Sequence, residues 1–217
     1  KEEYYKEGEV YPFSHNVKII NPLSSDLSLM RQTLLFGGLE NIIRNINRKH
    51  ANLNLYEFGN CYFMNAHKHN ESKPLAPYSE ALHLGIWITG KRQSKNWATN
   101  EAYSSPYELK AHLENIFLRV GLKEYQKLAH TPFSDELFAS GMTIGTRQFQ
   151  LAKWGVVNRQ LLKKFDLEQD VYYAEIDWNT LLKITRKSEV RFEELPKYPA
   201  VKRDLALKPL PLAGCAG

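Results

Sequence analysis

The strongest constraint in this sequence is a pair of strand-like segments joined by one polar loop. Residues 53–64, LNLYEFGNCYFM, alternate large side chains, and residues 81–90 carry a second alternation whose one face holds Leu82, Leu84, Ile86 and Ile88. Such alternation is typical of β-strands, because successive side chains point to opposite faces of a sheet. Strands that follow each other across a loop such as AHKHNESKPLAP pair antiparallel, so we expect a hairpin.

The first of these segments is apolar on both faces, with Glu57 as the exception. A strand of that kind is typical of a position inside a sheet, so we expect residues 53–64 to be central. Pro22 predicts the end of an earlier strand over residues 17–23, because proline cannot donate to a ladder. Further strands are predicted at residues 141–149, 151–157 and 171–176.

Four helices are predicted between the strands. The longest covers residues 33–49, where apolar side chains recur at helical spacing: Leu35, Leu39, Ile42 and Ile46. Ser105 followed by Pro106 predicts the start of a second helix, whose hydroxyl cap would contribute ~1 kcal/mol, and Gly121 predicts its end. A short helix follows Asn158, and another begins near Asn179.

The order of these elements predicts an α+β fold with an antiparallel sheet flanked by helices. Several strands are close in sequence, and no regular strand–helix repeat indicates a parallel sheet. We expect one domain over residues 1–195, the start of a second unit over 196–207, and an unstructured tail over 208–217. Because the chain begins with Lys1 and not methionine, we expect a piece of a longer protein.

The charge of the chain leaves two kinds of partner open. A formal net charge of +5 suits RNA or an acidic protein surface. It is equally compatible with a solvated basic surface, because acidic residues are interspersed with the lysines and arginines. No apolar window reaches the ~18 residues of a membrane span, and Cys61 and Cys215 give no disulfide or metal pattern, so we expect a cytoplasmic protein.

Signals of catalytic or metal chemistry are weak. His67 and His69 lack a carboxylate or thiol at metal-binding spacing, so we predict no metal site. The pair Gly37-Gly38 lacks the lysine of a phosphate-binding loop and is interpreted as a flexible helix entry. No serine lies in a G-x-S-x-G elbow, and no cysteine pairs with a histidine in a legible pattern, so we predict no catalytic residue.

Longer composite motifs carry more information. They are N-P-L-S-x-D-x-x-x-M-R-x-x-L-L from Asn21, L-Y-E-F-G from Leu55, W-G-V-V-N from Trp154 and K-Y-P-A-V-K-R-D-L-A from Lys197. Together with Trp97 and the helix start at Tyr107, and in this order, they resemble the β subunit of bacterial phenylalanyl-tRNA synthetase. The resemblance covers nearly the whole chain. Any one of these motifs is weak evidence, but five of them in the right order make chance agreement improbable.

This resemblance implies a class II synthetase-like domain that supports catalysis without performing it. In that family the region is a duplicate of the catalytic α subunit, and the whole enzyme is an (αβ)₂ heterotetramer that uses ATP and magnesium to charge tRNA(Phe) with phenylalanine. The fragment itself is expected to hold no cofactor. Residues 196–207 then resemble the first strand of a ferredoxin-like anticodon-binding domain.

The same resemblance predicts where ATP-binding chemistry is lost. Phe63 stands where the α subunit has a phosphate-binding arginine, and Glu175, Asp177 and Thr180 stand where a glycine-rich motif ends in another arginine. A triphosphate needs such cations, because they position and neutralise it. No arginine occurs between Lys49 and Ile88 or between Gln160 and Thr185.

Three functions remain open from the sequence. The first is a non-catalytic module that binds the α subunit, with candidate contacts at Arg31 and on the polar face of the 33–49 helix, at Arg44, Asn45 and Arg48. The second is an active class II ATP-dependent ligase domain. The third is a general RNA-binding module, indicated by the positive charge and by Trp97, Tyr103 and Tyr107.

Overall fold

A computed structural model of the chain describes residues 4–5, 10–24, 27–68 and 71–186. It contains four α-helices, α1 (Leu35–Asn47), α2 (Pro106–Arg119), α3 (Arg159–Lys164) and α4 (Trp178–Thr185), within those residues. The strands there are β1 (Leu53–Met64), β2 (Tyr78–Thr89), β3 (Lys91–Gln93), β4 (Ala102–Tyr103), β5 (Ala129–Phe133), β6 (Phe138–Gly145), β7 (Gln150–Val157) and β8 (Val171–Asp177).

Six of these strands form one antiparallel sheet in the order β1-β2-β8-β7-β6-β5. The hairpin predicted from the sequence is present, with Leu53 opposite Thr89 and Met64 opposite Tyr78. β8 lies in the middle of the sheet although it comes last in the chain, between β2 and β7. β3 and β4 form a separate two-stranded ribbon.

A layer of helices covers each face of the sheet. On one face α1 and α3 bury apolar side chains against Trp87 and Tyr173. On the other face α2 and α4 pack on the opposite side chains of β2 and β8, including Ile86 and Ile176. The predicted α+β architecture, an antiparallel sheet flanked by helices, is therefore confirmed.

The prediction that residues 53–64 form a central strand is wrong. β1 is an edge strand, and Tyr56 on it is 75% exposed. The error has a physical cause, since aromatic residues suit any pleated surface and their presence on both faces does not require burial on both.

Other predicted elements differ from those observed. Residues 17–23 form no strand; a single bridge joins Lys18 to Leu29, and Ile20 is exposed because no neighbouring strand covers it. The strand predicted over 141–149 is shifted, since β6 ends at Gly145 and the following residues turn back with Thr146 N donating to Phe149 O. β5 was not predicted, because Pro132 interrupts a polar sequence.

The helix boundaries depend on specific caps. Asn158 caps α3 by accepting from Gln160 N at 2.9 Å, as predicted. Gly121 follows α2 with φ +90°, the left-handed conformation that glycine adopts easily. The predicted hydroxyl cap at Ser105 is wrong, because its side chain makes no capping hydrogen bond.

The remaining expectations concern membrane spans and the C-terminal region. Within the described residues no helix is long and apolar enough to cross a membrane. The boundary near residue 195, the unit over 196–207 and the tail over 208–217 lie outside the described residues.

Candidate functional site

A cavity of about 220 Å³ that is lined by both polar and apolar side chains opens on the face of the sheet that α1 covers. We call it the central cavity. Its wall combines side chains from the N-terminal segment with side chains from β1, β2, β7 and β8: Tyr11, Gln32, Phe63, His83, Lys153, Glu175 and Asp177. Three of the four positions at which the sequence predicts lost ATP-binding chemistry, namely Phe63, Glu175 and Asp177, thus meet at one place.

Glu175 is the centre of this cavity's hydrogen-bond network. The residue is only 4% exposed, and its strand β8 lies inside the sheet. His83 Nδ1 donates to Oε1 at 2.9 Å, and Thr33 Oγ1 donates to Oε2 at 2.9 Å. Lys153 Nζ forms an ion pair with Oε2 at 3.5 Å. The buried carboxylate is therefore compensated by one cation, Lys153, and by two hydrogen-bond donors, His83 and Thr33. These three residues come from separate parts of the chain.

The same contacts decide the ionisation of Glu175. Burial alone would raise its pKa, but the Lys153 ammonium and the hydrogen bond from His83 outweigh burial and lower the pKa to about 2. Burial would lower the pKa of Lys153, yet Tyr11 and Glu175 raise it above its ordinary value. Glu175 and Lys153 therefore form a buried ion pair at neutral pH.

Tyr11 and Cys61 complete the surroundings of this pair. The Lys153 ammonium lies 4.6 Å from the centre of the Tyr11 ring, and burial raises the pKa of Tyr11 to about 12. Cys61 is fully buried, and its thiol donates to Glu175 Oε1 at 3.8 Å. Burial, followed by the charge of Glu175, raises the pKa of the Cys61 thiol, so the sulfur stays protonated.

Asp177 and Thr180 have a structural contact that the sequence analysis missed. Asp177 is the N-cap of α4, with its carboxylate accepting from Thr180 N at 2.9 Å and from Thr180 Oγ1 at 2.6 Å. An aspartate followed three residues later by a donor at a helix start was the available signal. Thr180 therefore belongs to the first turn of α4 and does not line the central cavity.

Phe63 closes part of the cavity with an apolar ring. It is half-buried and packs against the core on the α1 face of the sheet. Among the described residues that line the cavity, Lys153 is the one lysine or arginine, and its charge is neutralised by Glu175. A nucleotide triphosphate carries several negative charges and needs converging cations, which this wall does not provide.

The candidate interface residues lie in two places. Arg44 is exposed on α1, Arg48 is exposed at the C-cap position directly after it, and Asn45 donates to Asn41 O at 2.8 Å. Arg31 precedes the helix and contacts β1 instead, where Nη1 pairs with Glu57 Oε1 at 2.6 Å. The predicted set therefore divides into a helix surface and one arginine that stabilises the sheet edge.

One group of metal-ligating side chains was not recognised from the sequence. The donor atoms of Cys61, His83 and Glu175 all lie within 4.8 Å of one another. These residues are far apart in the chain, so no spacing revealed them. His67 is exposed on a 3₁₀ turn, and His69 lies outside the described residues. Because Glu175 already pairs with Lys153 and with His83, the group is a closed hydrogen-bond network.

Comparison with known proteins decides the family. The sequence profile of the phenylalanyl tRNA synthetase beta chain CLM domain matches residues 1–178. The chain belongs to this family. It is 50% identical over 205 residues to the phenylalanine–tRNA ligase beta subunit of Bacteroides fragilis, and 49% identical over the same length to that of Bacteroides thetaiotaomicron. Each alignment covers 94% of this chain and 25% of the relative, so the chain spans about a quarter of those proteins.

Two solved structures share the fold of this chain. Pyrrolysyl-tRNA synthetase from Desulfitobacterium hafniense aligns with a TM-score of 0.54 at 13% identity, over 81% of this chain and 55% of that chain. A second structure of that protein gives a TM-score of 0.52 at 15% identity, with the same coverage. At such low identity the likeness shows a class II tRNA synthetase fold and nothing about activity.

Proposed function

We propose that this chain is a non-catalytic module of a phenylalanine–tRNA ligase β subunit, which binds and orients the catalytic α subunit. The observation that carries the proposal is the buried Glu175–Lys153 pair in the central cavity. Among the described residues that line the cavity, the one lysine or arginine is Lys153, which Glu175 already neutralises, and Phe63 lies where the family resemblance implies an arginine. The described side chains of the cavity bond to one another, and none of the lysines or arginines among them is free to bind ATP.

The wider setting follows from the same proposal. The α subunit, the (αβ)₂ heterotetramer, tRNA(Phe), and the use of ATP and magnesium belong to the whole enzyme, as does a cytoplasmic location. Relatives named as β subunits of a phenylalanine–tRNA ligase support the assignment to a ligase of more than one subunit. The proposed module extends over residues 1–195, with the start of a further domain at 196–207.

The surface proposed for the α subunit is the polar face of α1. Leu35, Leu39 and Ile42 bury the opposite face of this helix in the core, which fixes its orientation. Asn41, Arg44 and Arg48 are spaced three and four residues apart and form one exposed stripe. Arg44 on the helix and Arg48 at its C-cap can form paired hydrogen bonds with carboxylates of a partner, a geometry that lysine does not provide.

The binding proposal is tested with the chain and a purified α subunit of the same kind of ligase. Gel filtration and calorimetry of the mixture should show a complex. The R44E/R48E variant should weaken it at least tenfold, because each reversed charge faces the acidic groups that the arginines met. The matched control is R119E/K123E, an equal charge change at the end of α2, which should bind like the original chain. Absence of a complex with the unchanged chain would count against the proposal.

The alternative of an active ATP-dependent ligase domain is tested separately. Titration of the chain with ATP and magnesium should give no binding heat at millimolar nucleotide, because the central cavity lacks unpaired cations. Micromolar binding would support the ligase alternative instead. Since this titration omits the α subunit, the two results are independent of each other.

A further inference from the structure

The ribbon of β3 and β4 presents a tryptophan directly to solvent. Trp97 lies between these strands and is 99% exposed, the largest value among the large apolar side chains of the described residues. An indole is both amphipathic and large, and side chains of this type supply a major part of the energy of many binding surfaces. The other three tryptophans, Trp87, Trp154 and Trp178, are buried or partly buried in the two cores.

The turn that carries Trp97 is held by several hydrogen bonds. Asn96 Oδ1 accepts from the backbone N–H groups of Ala98 and Thr99, each at 2.9 Å, and Asn96 N donates to Thr99 O at 3.1 Å. The side chains of Gln93 and Thr99 join the two sides of the ribbon. The indole is thus presented by an ordered turn, which reduces the conformational entropy lost on binding.

The ribbon also carries uncompensated positive charge. Its acidic residue, Glu101, pairs with Lys91 at 2.7 Å. Arg92 and Lys95 are exposed and form no ion pair with any described residue. Two such cations therefore precede the exposed indole, at two and five positions before Trp97 in the chain.

The neighbours of Trp97 favour RNA over a protein pocket. A tryptophan that anchors a protein interface is usually surrounded by an apolar patch that excludes water. Here the adjacent positions are Lys95, Asn96, Thr99 and Asn100, with Ala98 the one small apolar residue among them. An aromatic platform bordered by cations matches an unpaired nucleotide, whose base stacks on the ring while its phosphates meet the charges.

We infer that the β3–β4 ribbon binds unpaired RNA, with a base stacked on Trp97 and neighbouring phosphates on Arg92 and Lys95. This contact goes beyond the proposed function and does not depend on it. Trp97→Ala is expected to leave α-subunit binding unchanged, while R44E/R48E is expected to leave RNA binding unchanged. Failure of one proposal is therefore distinguishable from failure of the other.

Fluorescence anisotropy with labelled oligoadenylate of about 12 nucleotides, within the usual site size of single-strand binders, tests the stacking. Trp97→Ala should weaken binding about ten- to a hundredfold, the loss expected for one stacked base. Trp97→Phe should retain most of the affinity, because a phenyl ring also stacks. Because the indole is exposed, neither variant should change the melting temperature. Equal affinity of Trp97→Ala and the original chain would overturn the inference.

Salt dependence tests the phosphate contacts. R92Q/K95Q should lower the slope of log affinity against log salt by about 1.4, or about 0.7 for each phosphate lost. R119Q/K123Q removes equal charge elsewhere and should leave the slope unchanged. Trp97→Ala should lower the affinity at every salt concentration while preserving the slope, whereas a purely electrostatic surface would keep both its affinity and its slope. Equal binding to an RNA duplex of the same length would overturn the preference for unpaired nucleotides.

Acrylamide quenching then separates RNA from a protein partner. The difference in emission between the original chain and Trp97→Phe reports on Trp97 alone. Oligoadenylate should protect this emission from acrylamide. If oligoadenylate leaves it accessible while the purified α subunit protects it, the RNA inference is wrong and the ribbon is a protein contact.

Discussion

Gly59 leaves the space in which the guanidinium of Arg31 lies. A Cβ at position 59 would stand 2.0 Å from Arg31 Nη2. From this position Arg31 pairs with Glu57 at 2.6 Å and donates through Nε to Asn60 O at 3.0 Å. The M-R and L-Y-E-F-G motifs are therefore parts of one structural unit that fixes the chain before α1 to the edge strand β1.

Gly59→Ala tests this unit. The added methyl group displaces the Arg31 side chain, so we expect the free energy of unfolding to fall by about 1 kcal/mol, since a flexible side chain can move away. Urea denaturation measures the loss. In an Arg31→Ala background the same change should cost clearly less, because the displaced group is absent. Equal costs in both backgrounds would show that the Arg31 contact is not the cause.

Replacing only one member of the Glu175–Lys153 pair is expected to destabilise the fold strongly. Glu175→Gln keeps the size of the side chain but leaves the Lys153 ammonium buried without its counter-charge. We expect a loss of about 3 kcal/mol in the free energy of unfolding. The double variant with Lys153→Met should recover much of this loss, because it removes the unpaired charge. Urea denaturation of the single and double variants gives the coupling free energy.

The same pair predicts a loss of stability in acid. The pKa of Glu175 is about 2 in the folded chain and near its ordinary value of 4.5 when unfolded. A lowered pKa stabilises the fold above pH 4.5, and this contribution is lost as the pH falls towards 2. The loss is on the order of 3 kcal/mol. Denaturation at several pH values should show it, and the E175Q/K153M variant should have a flatter acid limb.

The sequence predicted the fold better than it predicted the site. Local patterns sufficed for β1, β2, α2 and the core face of α1, because each pattern depends on neighbouring residues. The central cavity depends on Thr33, His83, Lys153 and Glu175, which are brought together by strand order, and no local pattern contains that order. The edge position of β1 was missed for the same reason.

A glycine pair shows a similar limit. The sequence suggested flexibility at Gly37-Gly38, whereas the structure gives Gly38 a packing role. A Cβ at position 38 would stand 2.0 Å from the Trp87 ring, so glycine allows α1 to approach the sheet closely. Such an approach involves a residue almost fifty positions away and is not visible in the local sequence.

Three helix N-caps allow the contribution of a capping hydrogen bond to stability to be compared within one chain. Asn158→Ala removes a side chain that accepts from Gln160 N, and Asp177→Ala removes one that accepts from Thr180 N, so each should lower the free energy of unfolding by about 1 kcal/mol. Ser105→Ala is the matched control and should change it by only a few tenths, because the Ser105 hydroxyl makes no capping bond. Thermal and urea denaturation measure all three. An equal loss at Ser105 would contradict the observed geometry.

The Cys61 thiol should report on opening of the central cavity. It is fully buried and its pKa is raised, so in a Cys215→Ser variant Ellman's reagent at pH 8 should react with it far more slowly than with the urea-unfolded chain. Reaction then requires the fold to open, and its rate follows the free energy of opening. Adding Glu175→Gln should accelerate labelling about a hundredfold if the variant loses about 3 kcal/mol, because each 1.4 kcal/mol is a factor of ten. Rapid labelling of the Cys215→Ser chain without urea would show that the buried network around Glu175 does not stay closed in solution.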